Sequence, residues 1–167
     1  GFHETAKKVI ADLEKAADLL PADWDATEVG SRTYGFNFHR ATKGMALAFQ
    51  AEVLLYCGSP LMNGASTGIY DYNLDYMKRS AEAAWKVIEL ADQGIYSLQP
   101  WDSFSDLFYK IDATLPGGPE TIFAPDVRFG ARWKAYYWVL GHLGLGGRYG
   151  SPNANYVDLF EMANGLP

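Results

Sequence analysis

The densest chemistry in the chain is aromatic. Trp133, Tyr136, Tyr137 and Trp138 fall within six residues, Tyr149 follows, and Arg128, Arg132, His142 and Arg148 stand among them. Trp and Tyr rings offer an apolar face and a wet edge, which suits the C–H face of a sugar ring, while the cationic and imidazole neighbours can reach hydroxyls. Trp133, Tyr136, Tyr137, Trp138, Arg148 and Tyr149 are therefore the candidate ligand-binding residues. Core packing competes for the same rings. Four large aromatics so close together cannot all point one way, so two or three are expected inside and one or two at the surface.

Catalytic arrangements are weaker. Glycoside hydrolysis needs two carboxylates about 5–10 Å apart across the bond. Glu120, Asp126, Asp158 and Glu161 are the candidates, and Asp158 and Glu161 would share a helix face. A solvated or capping face explains that spacing as well. No Gly-x-Ser-x-Gly elbow occurs. The glycine run from Gly141 to Gly147 follows no convincing strand and precedes no helix, so it is not read as a dinucleotide loop. Asp71, Asn73, Asp75 and Glu82 mimic parts of a calcium loop, but Tyr76 stands where glycine is required, and Leu74 onward reads as helix. His3, His39 and His142 are isolated in sequence, and the single cysteine, Cys57, sits in an apolar run as a small hydrophobe. The expectation is a protein with no catalytic residues, no metal site and no cofactor.

Composition narrows the partners. The chain has 167 residues, 49% hydrophobic and 15% aromatic, enough for a folded domain with a core. A net charge of −6 disfavours nucleic acid and anionic membrane surfaces. No stretch approaches the roughly 20 apolar residues of a membrane span, and the start of the chain has no basic, apolar signal pattern.

The elements that must position these residues are helical. Val9, Ile10, Leu13, Ala16, Ala17 and Leu20 recur at helical spacing between about Thr5 and Leu20, and Pro21 ends the segment. Residues 22–39 read as an irregular connection. A helix from about Ala41 to Gly58 is apolar almost all round, so burial on several sides is expected. Its small residues Ala41, Gly44, Ala48 and Ala51 form a stripe that a neighbouring helix can approach. Leu61 to Asp71 reads as a loop. A third helix spans about Leu74 to Gln93, with Ala81, Ala84, Trp85, Ile88, Leu90 and Ala91 as its apolar side and Gly94 as its cap. Beyond it, Trp101–Phe108 reads as a short helix, 121–123 as extended, and about Tyr156–Met162 as a last short helix. The fold class is all-α. Ala84, Ile88 and Ala91 have tetratricopeptide-like spacing, so the second and third helices read as one repeat pair and the first as half of an earlier pair, an α-α superhelix with long irregular aromatic-rich loops.

Several strings then carry a family resemblance. Ile10-Ala11-Asp12-Leu13-Glu14-Lys15-Ala16-Ala17-Asp18-Leu19-Leu20-Pro21 is similar to the "DLEKAAELLP" helix of the SusD/RagB family. Arg40-Ala41-Thr42-Lys43-Gly44 with Leu54 to Asn63 resembles its "RATKGAA…LLYAASPLFN" block. Ala84 to Ile88 with Gly94-Ile95-Tyr96-Ser97-Leu98 resembles "AAKAVIDSGKYSL", Pro119 to Ala124 resembles "PEVIFA", and Ser151 to Gly165 resembles "PTQNLVDAFEMANG". Asn153-Ala154-Asn155 departs from the usual Thr-Gln-Asn, and residues 128–149 match nothing in particular, which is where members vary.

The resemblance implies one SusD-like helical region over 1–167, an internal piece of a longer protein that elsewhere carries a signal peptide and a lipidated cysteine, with 125–150 as the variable ligand-loop stretch. It also implies a nutrient-binding lipoprotein on the extracellular face of the bacterial outer membrane. Such a protein captures glycan or peptide for a TonB-dependent, SusC-like transporter, and its only membrane association is a lipid anchor absent from this chain. A different class, a tetratricopeptide-like peptide-binding adaptor, would show short inter-helix turns and a concave polar groove.

Overall fold

A computed structural model of the chain describes residues 1–37, 39–109, 118–124 and 160. Backbone contacts divide the chain into two compact units, Gly1–Pro125 and Asp126–Pro167. Every element with assigned bounds lies in the first, and no strand occurs among the described residues. The helices are α1 (Phe2–Leu19), α2 (Lys43–Gly58), α3 (Pro60–Thr67), α4 (Leu74–Asp92) and α5 (Asp106–Tyr109), with 3₁₀ turns at Gly30–Thr33 and Trp101–Ser103. The fold is all-α.

Helix α2 lies between α1 and α4 and runs antiparallel to both. The start of α1 meets the end of α2, where His3 Nε2 lies 3.0 Å from the Cys57 carbonyl. A carbonyl only accepts, so Nε2 carries the proton. Midway along α2 and α4, Ser80 Oγ donates to the Ala51 carbonyl at 2.7 Å. Two apolar clusters follow from this pairing. Ala6, Ile10, Leu54, Cys57, Tyr76 and Ala83 form one, and Ala17, Ala46, Leu47 and Leu90 the other. Burial pushes the Cys57 thiol pKa up, in keeping with a cysteine that acts as a small hydrophobe. Half-exposed Glu14 of α1 takes both the buried Gln50 Nε2 of α2 and Arg79 Nη2 of α4, at 3.2 and 3.3 Å.

The helix ends follow local chemistry. The Thr42 hydroxyl caps α2 by accepting from Met45 N, and Asn73 caps α4 by accepting from Tyr76 N. Gly94 closes α4 as expected: its φ of 83° is open to glycine, and Ile95 N reaches back to the Leu90 carbonyl at 3.0 Å.

Several sequence expectations change. The segment 61–71 is not all loop, because Ser59 caps a new helix, Pro60 takes its first position, and α3 runs to Thr67. Asn63 and Gly64 look like a turn in sequence but serve packing. Asn63 Nδ2 donates to the Ile69 and Asp71 carbonyls, and Gly64 lies under the Tyr70 ring. The core face of α4 is Tyr76, Ser80, Ala83, Val87 and Leu90, whereas Ala81, Ala84, Trp85 and Ile88 are exposed. Both faces carry apolar residues, and α2 accepts the one whose Ser80 can bond a carbonyl. On α2, Phe49, Leu55 and Tyr56 are likewise exposed, so it is buried on fewer sides than its composition suggests. Of its small-residue stripe, Ala51 does meet a helix, but Gly44 meets the side chain of Tyr96 and Ala41 precedes the helix. Finally, 101–108 splits into a 3₁₀ turn and α5. Residues 121–123 follow a turn closed by Thr121 N on the Gly118 carbonyl.

Candidate functional site

The six residues picked out for ligand contact, Trp133, Tyr136, Tyr137, Trp138, Arg148 and Tyr149, lie outside the described residues, as do Asp126, Asp158 and Glu161. Glu120 is described, and its Oε2 accepts from Gln99 N at 3.0 Å. That carboxylate ties two loop segments together.

Within the first unit a different site takes shape, in the connection between α1 and α2. Asn37 is 5% exposed and organises that loop. Its Nδ2 donates to the Gly30 and Thr33 carbonyls at 2.9 and 3.0 Å and to Asp25 Oδ1, while its Oδ1 accepts from Thr33 Oγ1 at 2.7 Å. Asp25 Oδ2 accepts from Gly35 N, and Asp25 N donates to Asp23 Oδ1 at 2.8 Å. Trp24, between the two acids, is fixed from two sides. Its Nε1 donates to the Ala41 carbonyl at 2.7 Å, and the Arg40 guanidinium lies 5.2 Å above its ring. A residue held this way presents the same surface to every ligand.

These residues form one wall of a cavity of about 300 Å³. Asp23, Trp24, Asp25, Gly35 and Asn37 come from the loop. Thr42 comes from the start of α2, Gly94, Ile95 and Tyr96 from the end of α4, and Thr121 and Ile122 from the segment beyond. Tyr96 is seated by α2: a methyl on Gly44 would stand 2.2 Å from the Tyr96 Oη. Ser97 N donates to the Pro119 carbonyl at 3.0 Å, which brings the 118–124 segment against the end of α4. The volume is at the small end for ligand pockets. The lining combines apolar and aromatic walls with two carboxylates, and among the described residues no Lys, Arg or His lines it. Tyr34 and Phe36, on either side of Gly35, are exposed.

A larger concavity, about 590 Å³, lies across α1, α2 and α4. Its charges are mixed: Glu14, Asp18 and Glu89 with Lys43 and Lys86, over a small floor of Ala17, Leu47 and Leu90. Among the described residues it has no aromatic wall.

Sequence reasoning missed the loop cavity because residues 22–39 have no periodicity. The available signals were Trp24 flanked by two aspartates and the Tyr-Gly-Phe-Asn run at 34–37. Neither says that α4 and the 118–124 segment close over the same space. The chain matches no protein-family model, no curated protein and no solved structure.

Proposed function

We propose that the chain is part of a SusD/RagB-type receptor that binds glycan at the bacterial outer membrane and delivers it to a TonB-dependent, SusC-like transporter. In this reading it does no chemistry of its own and uses no cofactor. The full-length protein is lipid-anchored on the extracellular face, and α1, α2 and α4 belong to tetratricopeptide-like pairs. The observation that carries the reading is convergence. The loop cavity begins one residue after the "DLEKAAELLP"-like string and takes Thr42 from the "RATKG"-like string, Gly94–Tyr96 from the "GKYSL"-like string and Thr121–Ile122 from the "PEVIFA"-like string. The matched residues frame the cavity. The unmatched loop, with Asp23, Trp24, Asp25 and Asn37, faces into it and would set the specificity. Trp and Tyr walls with carboxylates that accept hydroxyl protons suit a sugar. The stretch with Trp133, Tyr136, Tyr137, Trp138, Arg148 and Tyr149 is proposed as a second glycan-contacting surface.

The experiment is binding on a glycan array with product analysis of the bound glycans, using the parent chain and the variants Trp24→Ala, Trp133→Ala and Trp138→Ala. Saturable binding without cleavage, weakened by Trp24→Ala, is the expected result. Cleavage of the glycan would overturn the non-catalytic reading. The mixed-charge groove across α1, α2 and α4 favours a second reading, a peptide-binding adaptor, which predicts saturable peptide binding lost in Lys43→Glu or Lys86→Glu and no glycan binding.

A further inference from the structure

We infer that the loop cavity selects uncharged glycans and rejects glycans bearing uronate or sulfate groups; the inference rests on the receptor reading above. Asp23 and Asp25 are the only acidic or basic side chains that line it among the described residues. Arg40 lies over the Trp24 ring, and neither it nor Lys43, which follows Thr42 in sequence, lines the cavity. Ionised carboxylates only accept hydrogen bonds. A neutral sugar answers them with hydroxyl donors and lays its C–H face on Trp24, Ile95 or Tyr96. A uronate or sulfate brings acceptors of the same charge, which the carboxylates repel and cannot bond. Asp25 cannot swing aside, because Asn37 and Gly35 N hold its two oxygens. Asp23 is exposed, and one of its oxygens receives the Asp25 N–H. Its remaining lone pairs are available to a ligand. The net charge of −6 adds a long-range repulsion of the same sign.

The test measures affinity of the 167-residue chain at pH 7 and low salt. The neutral probes are galactan, xylan, mannan and α- and β-glucan; the anionic probes are polygalacturonate, heparin and chondroitin sulfate. At least one neutral polymer should bind, at least about tenfold more tightly than any anionic one. Asp23→Asn keeps the oxygen that accepts Asp25 N and removes the charge. It should leave the melting temperature unchanged and weaken the neutral glycan about tenfold, the scale of one charge-assisted hydrogen bond. Asp23→Lys should raise anionic binding. An anionic polymer bound as tightly as the best neutral one would overturn this inference and leave the receptor reading intact. Binding of neither class would overturn the receptor reading and this inference with it. Selectivity that neither Asp23 variant shifts would overturn its assignment to this cavity.

Discussion

Gly44 shows how one residue links two distant parts of the chain. It sits in the first turn of α2, where a Cβ would come within 2.2 Å of the Tyr96 Oη and 2.8 Å of its ring carbons. A tyrosine ring is too rigid to bend out of the way, so Gly44→Ala should displace Tyr96 and cost about 1–3 kcal/mol, the scale of overpacking a filled site. Urea unfolding measures the loss. Pairing the change with Tyr96→Ala should recover part of it, because the clash is then gone. Asn37 makes a similar point for the loop. Asn37→Ala removes the donor shared by two carbonyls and Asp25; Thr33 Oγ1 and Phe36 N still reach the carbonyls, but Asp25 Oδ1 loses its partner and the loop its central tie. The expected loss is about 1–3 kcal/mol, together with glycan affinity, read by calorimetry. From sequence, Gly44 was legible as a small residue at a close approach, but not what approaches it. Asn37 was not legible at all, since a buried asparagine and a surface one look alike until the loop is folded.

At the scale of elements, helical period located α1, α2 and α4, because each is long and keeps apolar residues on at least one face. It did not locate α3, whose eight residues include Pro60, Asn63, Gly64, Ser66 and Thr67 and which stands on its caps and contacts rather than on propensity. Period also failed to choose between faces where both are apolar. In α2, Leu54 is fully buried and Leu55 is 53% exposed, although the two are identical in type and adjacent. Leu54→Ala should therefore cost about 2–5 kcal/mol, the range for a filled core position. Leu55→Ala should cost about 0.5 kcal/mol or less, as surface changes do. Thermal and denaturant unfolding of the two variants check the assignment of faces, and equal losses would mean α2 is rotated from its described position.

For the whole molecule, the informative property is convergence. Strings that lie far apart in sequence and carry little meaning singly come together around one cavity: Thr42 at the start of α2, Gly94–Tyr96 after α4, and Thr121–Ile122 beyond. No periodicity encodes that meeting, so the cavity was invisible to sequence reasoning even though most of its framing residues had been singled out. We propose that glycan occupies it. The most direct test is an indole ¹H–¹⁵N spectrum of the chain, titrated with the glycan that binds best on the array. The five tryptophans give five indole signals, and Trp24→Phe assigns the one that matters. With glycan in the cavity, the Trp24 signal shifts saturably, together with the amides of Gly35 and Gly94. Saturation of binding with the Trp24 signal and both amides unmoved would contradict that occupancy.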